Sequence, residues 1–352
     1  MVSEAESDRL VVVWRVTTRC NLSCGFCAFD RTLPGRRTEV DEVAARALTS
    51  WLAAERRRLG RPLHLSFLGG EPLLWRPLAT VAAECSALGI SLGVTTNGTT
   101  LSRTSTRELL LEHFEELTIS IDGLGSAHDQ VRGWPGGFAQ LERAVRSLVQ
   151  AKRAQGRGPL IRVNSVLMRE NVAQLAELAF TLAGWGVEEL TFNRLGERDR
   201  PEFFAQHCLG PSTLERLARR LPELRRALAE RGLRLRGSDG YVERLLELER
   251  GTSKAGPTCD PGRQFLFVDE HGRLAPCHFT LSEMGEMDEM GGRWPPNRNL
   301  AELSKRFLLR QSSASACQHC PSTQVAGKFG GPHGARSVRA EPTDATHRRD
   351  PA

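Results

Sequence analysis

The chain has 352 residues, 40% of them hydrophobic and 26% charged, with nine cysteines and a formal net charge of +6. That length can bury a full core and predicts two domains, in the composition range of a soluble globular protein. No apolar run is long enough to span a membrane, the acidic residues 1–8 are unlike a signal peptide, and the arginines are dispersed without interleaved aromatics, so a cytoplasmic protein with no membrane and no nucleic-acid partner is expected.

Taken in order, an apolar run over 10–13 continued by Trp14-Arg15-Val16 predicts a first strand, which leads into a loop carrying Cys20, Cys24 and Cys27. A helix is expected over 41–59, with Val43, Ala47, Leu48, Trp51 and Leu52 on one face. A buried strand at 63–68 is stopped by Gly69-Gly70-Glu71-Pro72. The helix at 77–88 carries Cys85 on its apolar face as a structural thiol. The strand at 90–95 ends in Thr96-Asn97-Gly98, and a helix covers 105–114. The strand at 117–121 ends in Asp122-Gly123. A helix at 138–155, a strand at 160–167, a helix at 173–184 and a strand at 189–193 complete the series. Six β–α units predict an α/β fold: a parallel, curved sheet with helices outside and its chemistry on loops at the strands' carboxyl ends.

Nine cysteines in such a chain argue for metal or redox chemistry rather than disulfides. The first three stand in Cys20-Asn21-Leu22-Ser23-Cys24-Gly25-Phe26-Cys27. Three thiols at this spacing can wrap one face of an iron–sulfur cube, where a closed site would present four. One iron then keeps an open position, as a catalytic zinc site holds back one ligand. A zinc knuckle or scattered core cysteines is the alternative. The spacing resembles the signature of the radical S-adenosylmethionine (SAM) superfamily. The resemblance implies a partial (β/α)6 barrel, a [4Fe–4S] cluster whose unique iron chelates SAM, and reductive cleavage of SAM to a 5′-deoxyadenosyl radical. It places Phe26 against the adenine. Gly69-Gly70-Glu71-Pro72 matches the family's second motif, where glycines let backbone approach a ligand and a carboxylate or carbonyl holds the SAM ammonium. Thr96, Asn97, Ser120 and Asp122 fall where the family contacts ribose and methionine, although each is also ordinary turn chemistry. Asn164 and Arg194 are later candidates. His128-Asp129-Gln130-Val131-Arg132-Gly133, followed by Gly136-Gly137-Phe138, also resembles the superfamily, with a structural job as loop and helix cap.

From 199 the alternation stops. Leu214, Leu217, Leu221, Leu224 and Leu228 form a stripe broken or kinked at Pro222, read as a helical connector over 199–255 that covers the barrel mouth. Cys208, at its start, is either a core thiol or a hydrogen-atom donor to a substrate radical. A β-hairpin over 264–276, with Gly272 in its turn, brings Cys277 towards Cys259, and a helix at 300–309 leads to Cys317-Gln318-His319-Cys320. Four such thiols suit a closed zinc site or a fully ligated [4Fe–4S] cluster. Cys259, Cys277, Cys317 and Cys320 resemble the twitch domain, the shortened relative of SPASM, which implies one auxiliary [4Fe–4S] cluster. The expected division is a core at 8–198, the connector, a cluster-binding hairpin and helix at 256–322, and a disordered tail at 323–352.

A closed auxiliary cluster has no iron free to grip substrate, so its implied job is to accept or relay an electron. In twitch relatives this includes oxidation of a secondary alcohol to a ketone in an aminocyclitol or amino sugar of antibiotic biosynthesis. The partners expected are a small-molecule substrate and an electron donor such as flavodoxin or ferredoxin. His278, which stands where sulfatase-maturing relatives have a carboxylate, is the candidate base. A peptide maturase and a thiol-dependent epimerase are the alternatives. With 19 residues before Cys20, no amino-terminal peptide-recognition domain is expected, although some maturases manage without one.

Overall fold

The computed structural model describes residues 9–252, 264–284, 298–311 and 314–318. Its first six strands are Leu10–Thr17 (β1), Leu63–Gly69 (β2), Ser91–Thr96 (β3), Glu116–Ser120 (β4), Leu160–Leu167 (β5) and Glu189–Arg194 (β6), each parallel to the one before. Between them run helices Glu42–Leu59 (α1), Leu78–Ala87 (α2), Thr104–His113 (α3), Ser126–Arg132 (α4), Gly137–Gln155 (α5) and Leu175–Trp185 (α6). Parallel strands are apolar on both faces because both are covered. Leu10, Val12, Trp14 and Val16 of β1 enter the main core with Trp51, Phe67 and Trp75, whereas Val13 packs with Leu68 and Phe267.

Helix α1 starts where Asp41 accepts a bond from the Ala44 amide at 2.8 Å and stops where Gly60 takes φ 63°. Its buried stripe is Ala45, Leu48, Trp51 and Leu52. Val43, expected on that stripe, is 79% exposed. It sits in the first turn, and Ala45 takes the inward place.

The stretch beyond β6 holds helices Pro201–His207 (α7) and Pro211–Ala229 (α8), then Arg234–Leu235 (β7) and Asp239–Glu249 (α9). The connector therefore contains a seventh strand, parallel to β6. The Arg234 amide donates to Glu188 O at 2.9 Å and the Arg236 amide to Leu190 O at 2.8 Å. This makes α8 a crossover helix, and its Leu214, Leu221 and Leu228 are buried in the main core. Helix α8 runs through Pro222, where a break or kink was expected, without a break.

The expected hairpin is present as Phe265–Val268 (β8) and Leu274–Ala275 (β9), with Gly272 at φ 85° in its turn. Asp269 Oδ1 holds that turn by accepting from the amides of His271 at 3.0 Å and Arg273 at 2.8 Å. β8 also pairs in parallel with β1. The hairpin expected in a separate small domain is thus hydrogen-bonded onto the main sheet, whose order is β7-β6-β5-β4-β3-β2-β1-β8-β9. Helices Leu281–Met284 (α10), Leu300–Gln311 (α11) and Ser315–Gln318 (α12) follow. Cys259, Cys320 and the tail at 323–352 lie outside the described residues. No helix among the described residues is long and apolar enough to cross a membrane.

Candidate functional site

The loop that follows β1 is fastened on two sides as it leaves the sheet. On one side the Thr18 amide donates to Thr38 O at 2.8 Å, and the Thr38 amide returns a bond to Thr18 Oγ1 at 2.8 Å. On the other side stands Gly69-Gly70. A β-carbon on Gly69 would lie 2.1 Å from the Thr17 carbonyl oxygen, and one on Gly70 2.0 Å from that of Arg19. The amides of Gly70 and Glu71 donate to those same two oxygens at 2.8 Å. The close approach expected of these glycines is made to the protein's own loop.

Glu71 extends the fastening. It is fully buried, and its Oε1 accepts from Thr96 Oγ1 at 2.7 Å and the Leu73 amide at 3.0 Å. Its Oε2 accepts from the Asn97 amide at 2.7 Å. Burial pushes its pKa up to about 7, against the pull of those donors. The carboxylate expected to meet an ammonium group therefore joins the ends of β2 and β3. Asn97 carries the joint on to the thiols: its Nδ2 donates to Asn21 Oδ1 at 2.9 Å and reaches Cys20 Sγ at 3.7 Å. Its Oδ1 accepts from the Thr99 amide at 2.9 Å, an Asx turn that fixes the side chain.

The three thiols lie on one short loop, closed by the Arg31 amide donating to Leu22 O at 3.1 Å. Cys20 Sγ accepts from the Leu22 amide at 3.5 Å and Cys27 Sγ from the Phe29 amide at 3.3 Å. Cys24, 6% exposed, has Arg132 Nη1 at 4.0 Å from its sulfur. Burial pushes all three thiols up, Cys24 to about 11, with Arg132 opposing at Cys24 and Cys27 and the Leu22 amide opposing at Cys20. Such thiols stay neutral until a metal deprotonates them. N–H donors aimed at sulfur suit iron–sulfur ligation, where hydrogen bonds to the sulfurs tune the cluster. The donor set fits a cluster held by Cys20, Cys24 and Cys27.

Asp122 and Arg132 close the site from the β4 side. Asp122 Oδ2 accepts from Arg132 Nε at 2.6 Å and Oδ1 from the Val166 amide at 2.8 Å. The Asp122 amide donates to His128 Nδ1 at 3.3 Å, an imidazole that burial holds neutral with a pKa of about 4. Asp129 caps α5 by accepting from the Gly136 and Phe138 amides, at 2.6 and 2.9 Å. The segment around His128 thus does its expected capping work and also delivers Arg132, which the sequence reading passed over. Phe26 has the Arg132 guanidinium 5.3 Å from its ring centroid and the tilted ring of Phe203 of α7 6.3 Å away. A β-carbon on Gly25 would stand 2.8 Å from the Phe203 ring, so α7 is the helix at the mouth.

With this geometry in place, comparison with known proteins is informative: the profile of the Radical SAM superfamily matches residues 14–188. The chain carries a radical SAM superfamily domain. An AdoMet-dependent heme synthase of Oleidesulfovibrio alaskensis is 21% identical over 331 residues, covering 90% of this chain and 81% of that protein. A PqqA peptide cyclase of Xanthomonas euvesicatoria is 25% identical over 331 residues, with the same shares. A pre-heme d1 synthase of Dinoroseobacter shibae is 32% identical over 200 residues, 54% of this chain and 46% of that relative, about half its length. Among solved structures, SuiB of Streptococcus suis bound to S-adenosylmethionine aligns with a TM-score of 0.61 and 17% identity, covering 93% of this chain and 76% of that one. The structure of anSMEcpe with bound AdoMet gives 0.61 and 16%, covering 89% and 88%. These likenesses are of fold, and by them the open sheet is a partial radical SAM barrel; it is the superfamily profile that implies SAM and one SAM-binding [4Fe–4S] cluster.

The other expected residues of the radical SAM domain divide. Ser120 and Asn164 are register partners on β4 and β5, both half-buried. Asn164 Oδ1 accepts from Thr191 Oγ1 at 3.0 Å and Asn193 Nδ2 at 3.2 Å. Arg194 is paired with Glu249 of α9 at 2.8 Å. Thr96 and Asp122 hold backbone. Cys208 caps α7, its amide donating to Phe204 O at 2.9 Å.

Of the second thiol set, Cys277 and Cys317 are described. Cys277 heads the turn His278–Thr280, against which α12, the helix carrying Cys317, packs. Glu283 fixes that packing by accepting from the amides of Ser315 at 2.6 Å and Ala316 at 3.2 Å. His278, the candidate base, stands at the head of that turn as a neutral imidazole. Burial and the neighbouring Arg198 push its pKa down to about 4, and Arg198 pairs with its Nε2. Arg15 of β1, unsuspected from sequence, links both regions. It pairs with Glu270 of the hairpin, and its guanidinium lies 5.7 Å from the Phe29 ring and 5.6 Å from that of Phe267.

Proposed function

We propose that this protein is a radical SAM oxidoreductase that removes hydrogen from an unactivated C–H bond. Cys20, Cys24 and Cys27 would hold a [4Fe–4S] cluster, which with SAM would supply the radical chemistry. The observation that carries the reading is the thiol loop: three sulfurs at the carboxyl end of β1, each approached by an N–H donor. The Leu22 and Phe29 amides and Arg132 hold negative charge on those sulfurs. Asn97, Glu71 and the two glycines hold the loop against β2 and β3. Phe26 is the ring expected to meet the adenine.

The finer reading is two-electron oxidation of an alcohol to a ketone on an aminocyclitol or amino sugar in the cytoplasm. An auxiliary [4Fe–4S] cluster on Cys259, Cys277, Cys317 and Cys320 would take up the second electron, with a flavodoxin or ferredoxin as donor. The adjacency of the turn headed by Cys277 to α12 supports it. Modification of a peptide is the second reading, favoured by the near full-length similarity to a PqqA peptide cyclase.

Anaerobic reconstitution tests both levels. Two clusters require about eight irons per chain and one requires about four. Replacing Cys20, Cys24 and Cys27 by alanine should abolish 5′-deoxyadenosine formation and remove the first cluster's share of iron. Undiminished SAM cleavage in that variant would overturn the assignment. An aminocyclitol substrate should give a product two hydrogens lighter; turnover of a peptide alone would select the second reading.

A further inference from the structure

Arg132 ends α4 and is 8% exposed. A guanidinium keeps its proton at any working pH, so its charge must be balanced within the protein. Asp122 balances it from one side, at 2.6 Å from Nε. The other side of the group meets sulfur and a ring: Nη1 is 4.0 Å from Cys24 Sγ, and the group lies 5.3 Å from the Phe26 ring centroid. Its position is pinned by its own backbone. Gly133 follows at φ 59°, and a β-carbon there would stand 2.5 Å from Ser23 Oγ, so the end of α4 is pressed onto the thiol loop.

We propose that Arg132 is a positioning residue whose fixed charge raises the reduction potential of the cluster held by Cys20, Cys24 and Cys27, with Asp122 clamping it and partly opposing it. This rests on the cluster assignment above. Reduction adds one electron from an external donor, and hence one negative charge, to a cluster already ligated by thiolates. A cation beside one ligand sulfur in a water-poor site favours that added charge, and a carboxylate disfavours it. Arg132 touches both, with Nη1 4.0 Å from the Cys24 sulfur and Nε 2.6 Å from Asp122 Oδ2. Cys24, Arg132 and Asp122 therefore place a ligand sulfur, a cation and a balancing anion in successive contact, and the two charges act with opposite signs.

The test is an anaerobic redox titration of the reconstituted full chain, followed by the electron paramagnetic resonance of the reduced cluster. The component followed is the one lost in the Cys20, Cys24, Cys27 alanine variant. Arg132→Gln should move the midpoint to more negative potential, Arg132→Lys should stay near the parent, and Asp122→Asn should move it to more positive potential. Iron per chain should be unchanged. A purely structural role would loosen the site in both neutral variants and give no opposite shifts. Equal potentials, or shifts of the same sign at full iron content, would overturn the proposal. Should Arg132→Gln fail to fold, Asp122→Asn/Arg132→Gln buries no unpaired charge and is compared with Asp122→Asn alone. There the added change must lower the potential, and an unchanged value also overturns it. Retention of all iron and of SAM cleavage in the triple alanine variant would instead remove the cluster assignment itself.

Discussion

At the amino ends of the strands, buried charges answer one another. Arg162 of β5 lies 2.9 Å from Glu116 of β4 and 2.7 Å from Glu189 of β6. Glu116 also holds Arg9 at 2.7 Å, and Glu189 holds Arg236 at 3.1 Å. At the carboxyl ends, Glu71 and Asp122 are buried as deeply, but their oxygens turn chiefly to backbone amides and to groups that border the thiols. The difference follows from what each end must hold. The amino-end network ties strands that the β-ladder already joins. The carboxyl-end carboxylates fix loops, where no ladder exists and unpaired amides would otherwise be left buried. Stability is concentrated at one end and geometry at the other.

The comparison breaks most visibly at Arg162. Arg162→Met leaves Glu116 and Glu189 facing each other with less compensation, and removing one partner of a buried ion pair costs about 3–5 kcal/mol. Chemical denaturation should show that loss, while iron per chain stays at the parent value. A loss of iron at unchanged stability would reverse the assignment of the two ends.

Acid should strain the same end. Burial holds His64, beside Ser91 Oγ at 2.8 Å, to a pKa of about 4, below its ordinary 6.5. The unfolded chain takes up its proton first, so stability falls as pH drops from 6.5 through 4, by about 3 kcal/mol for this group. Glu116 continues the loss below it. Burial alone would raise its pKa, but His64, Arg162 and Arg9 hold it at about 2, so its contribution fades as pH falls from 4.5 towards 2. In His64→Asn the drop in unfolding free energy between pH 7 and pH 4.5 should shrink by most of that ~3 kcal/mol. An unchanged pH dependence would show that His64 is not kept neutral by the fold.

How much of this was legible depended on whether the cause was local. The strand Leu160–Leu167 matches its expected bounds residue for residue, because the apolar and β-branched residues Leu160, Ile161, Val163, Val166 and Leu167 mark it locally. The thiol loop was legible for the same reason, since the spacing of three cysteines is a local fact. β7 was not: Arg234–Leu235 has no pattern of its own and exists through its bonds to β6. Nor was the docking of β8 on β1, which joins residues some 250 positions apart. At the site, Glu71 was found and its partners were not. Which atoms a carboxylate meets is decided by the packing of β2 against β3, and sequence does not print that. Arg132 was hidden in plain view, inside a segment whose capping residues accounted for it.

Glu71→Gln sharpens the carboxyl-end side of the comparison. The amide places an NH2 group against an amide or hydroxyl that formerly donated to oxygen, leaving a buried donor unmet at a cost of about 1–3 kcal/mol. That is less than the loss at Arg162, yet the consequence should fall on the loop, because Asn97 sits between Glu71 and both Asn21 and Cys20. Iron retained after gel filtration should drop in this variant and not in Arg162→Met. Equal retention in the two would mean that the Glu71 joint does not position the thiols.

The smallest effect is expected at Cys208. An epimerase needs a thiol that returns a hydrogen atom to a substrate carbon, whereas a dehydrogenase does not. Cys208 ends α7, half-buried, and its amide closes that helix on Phe204. Phe203 at the other face of α7 is the residue that reaches the thiol loop, against Gly25 and Phe26. A side chain at a helix end contributes packing, so Cys208→Ala should cost on the order of 1 kcal/mol. SAM cleavage and product mass should both be unchanged. If the variant still cleaves SAM but diverts to an off-pathway product, while the parent gives a product of unchanged mass carrying one solvent deuterium in heavy water, the oxidation reading gives way to epimerisation with Cys208 as the donor.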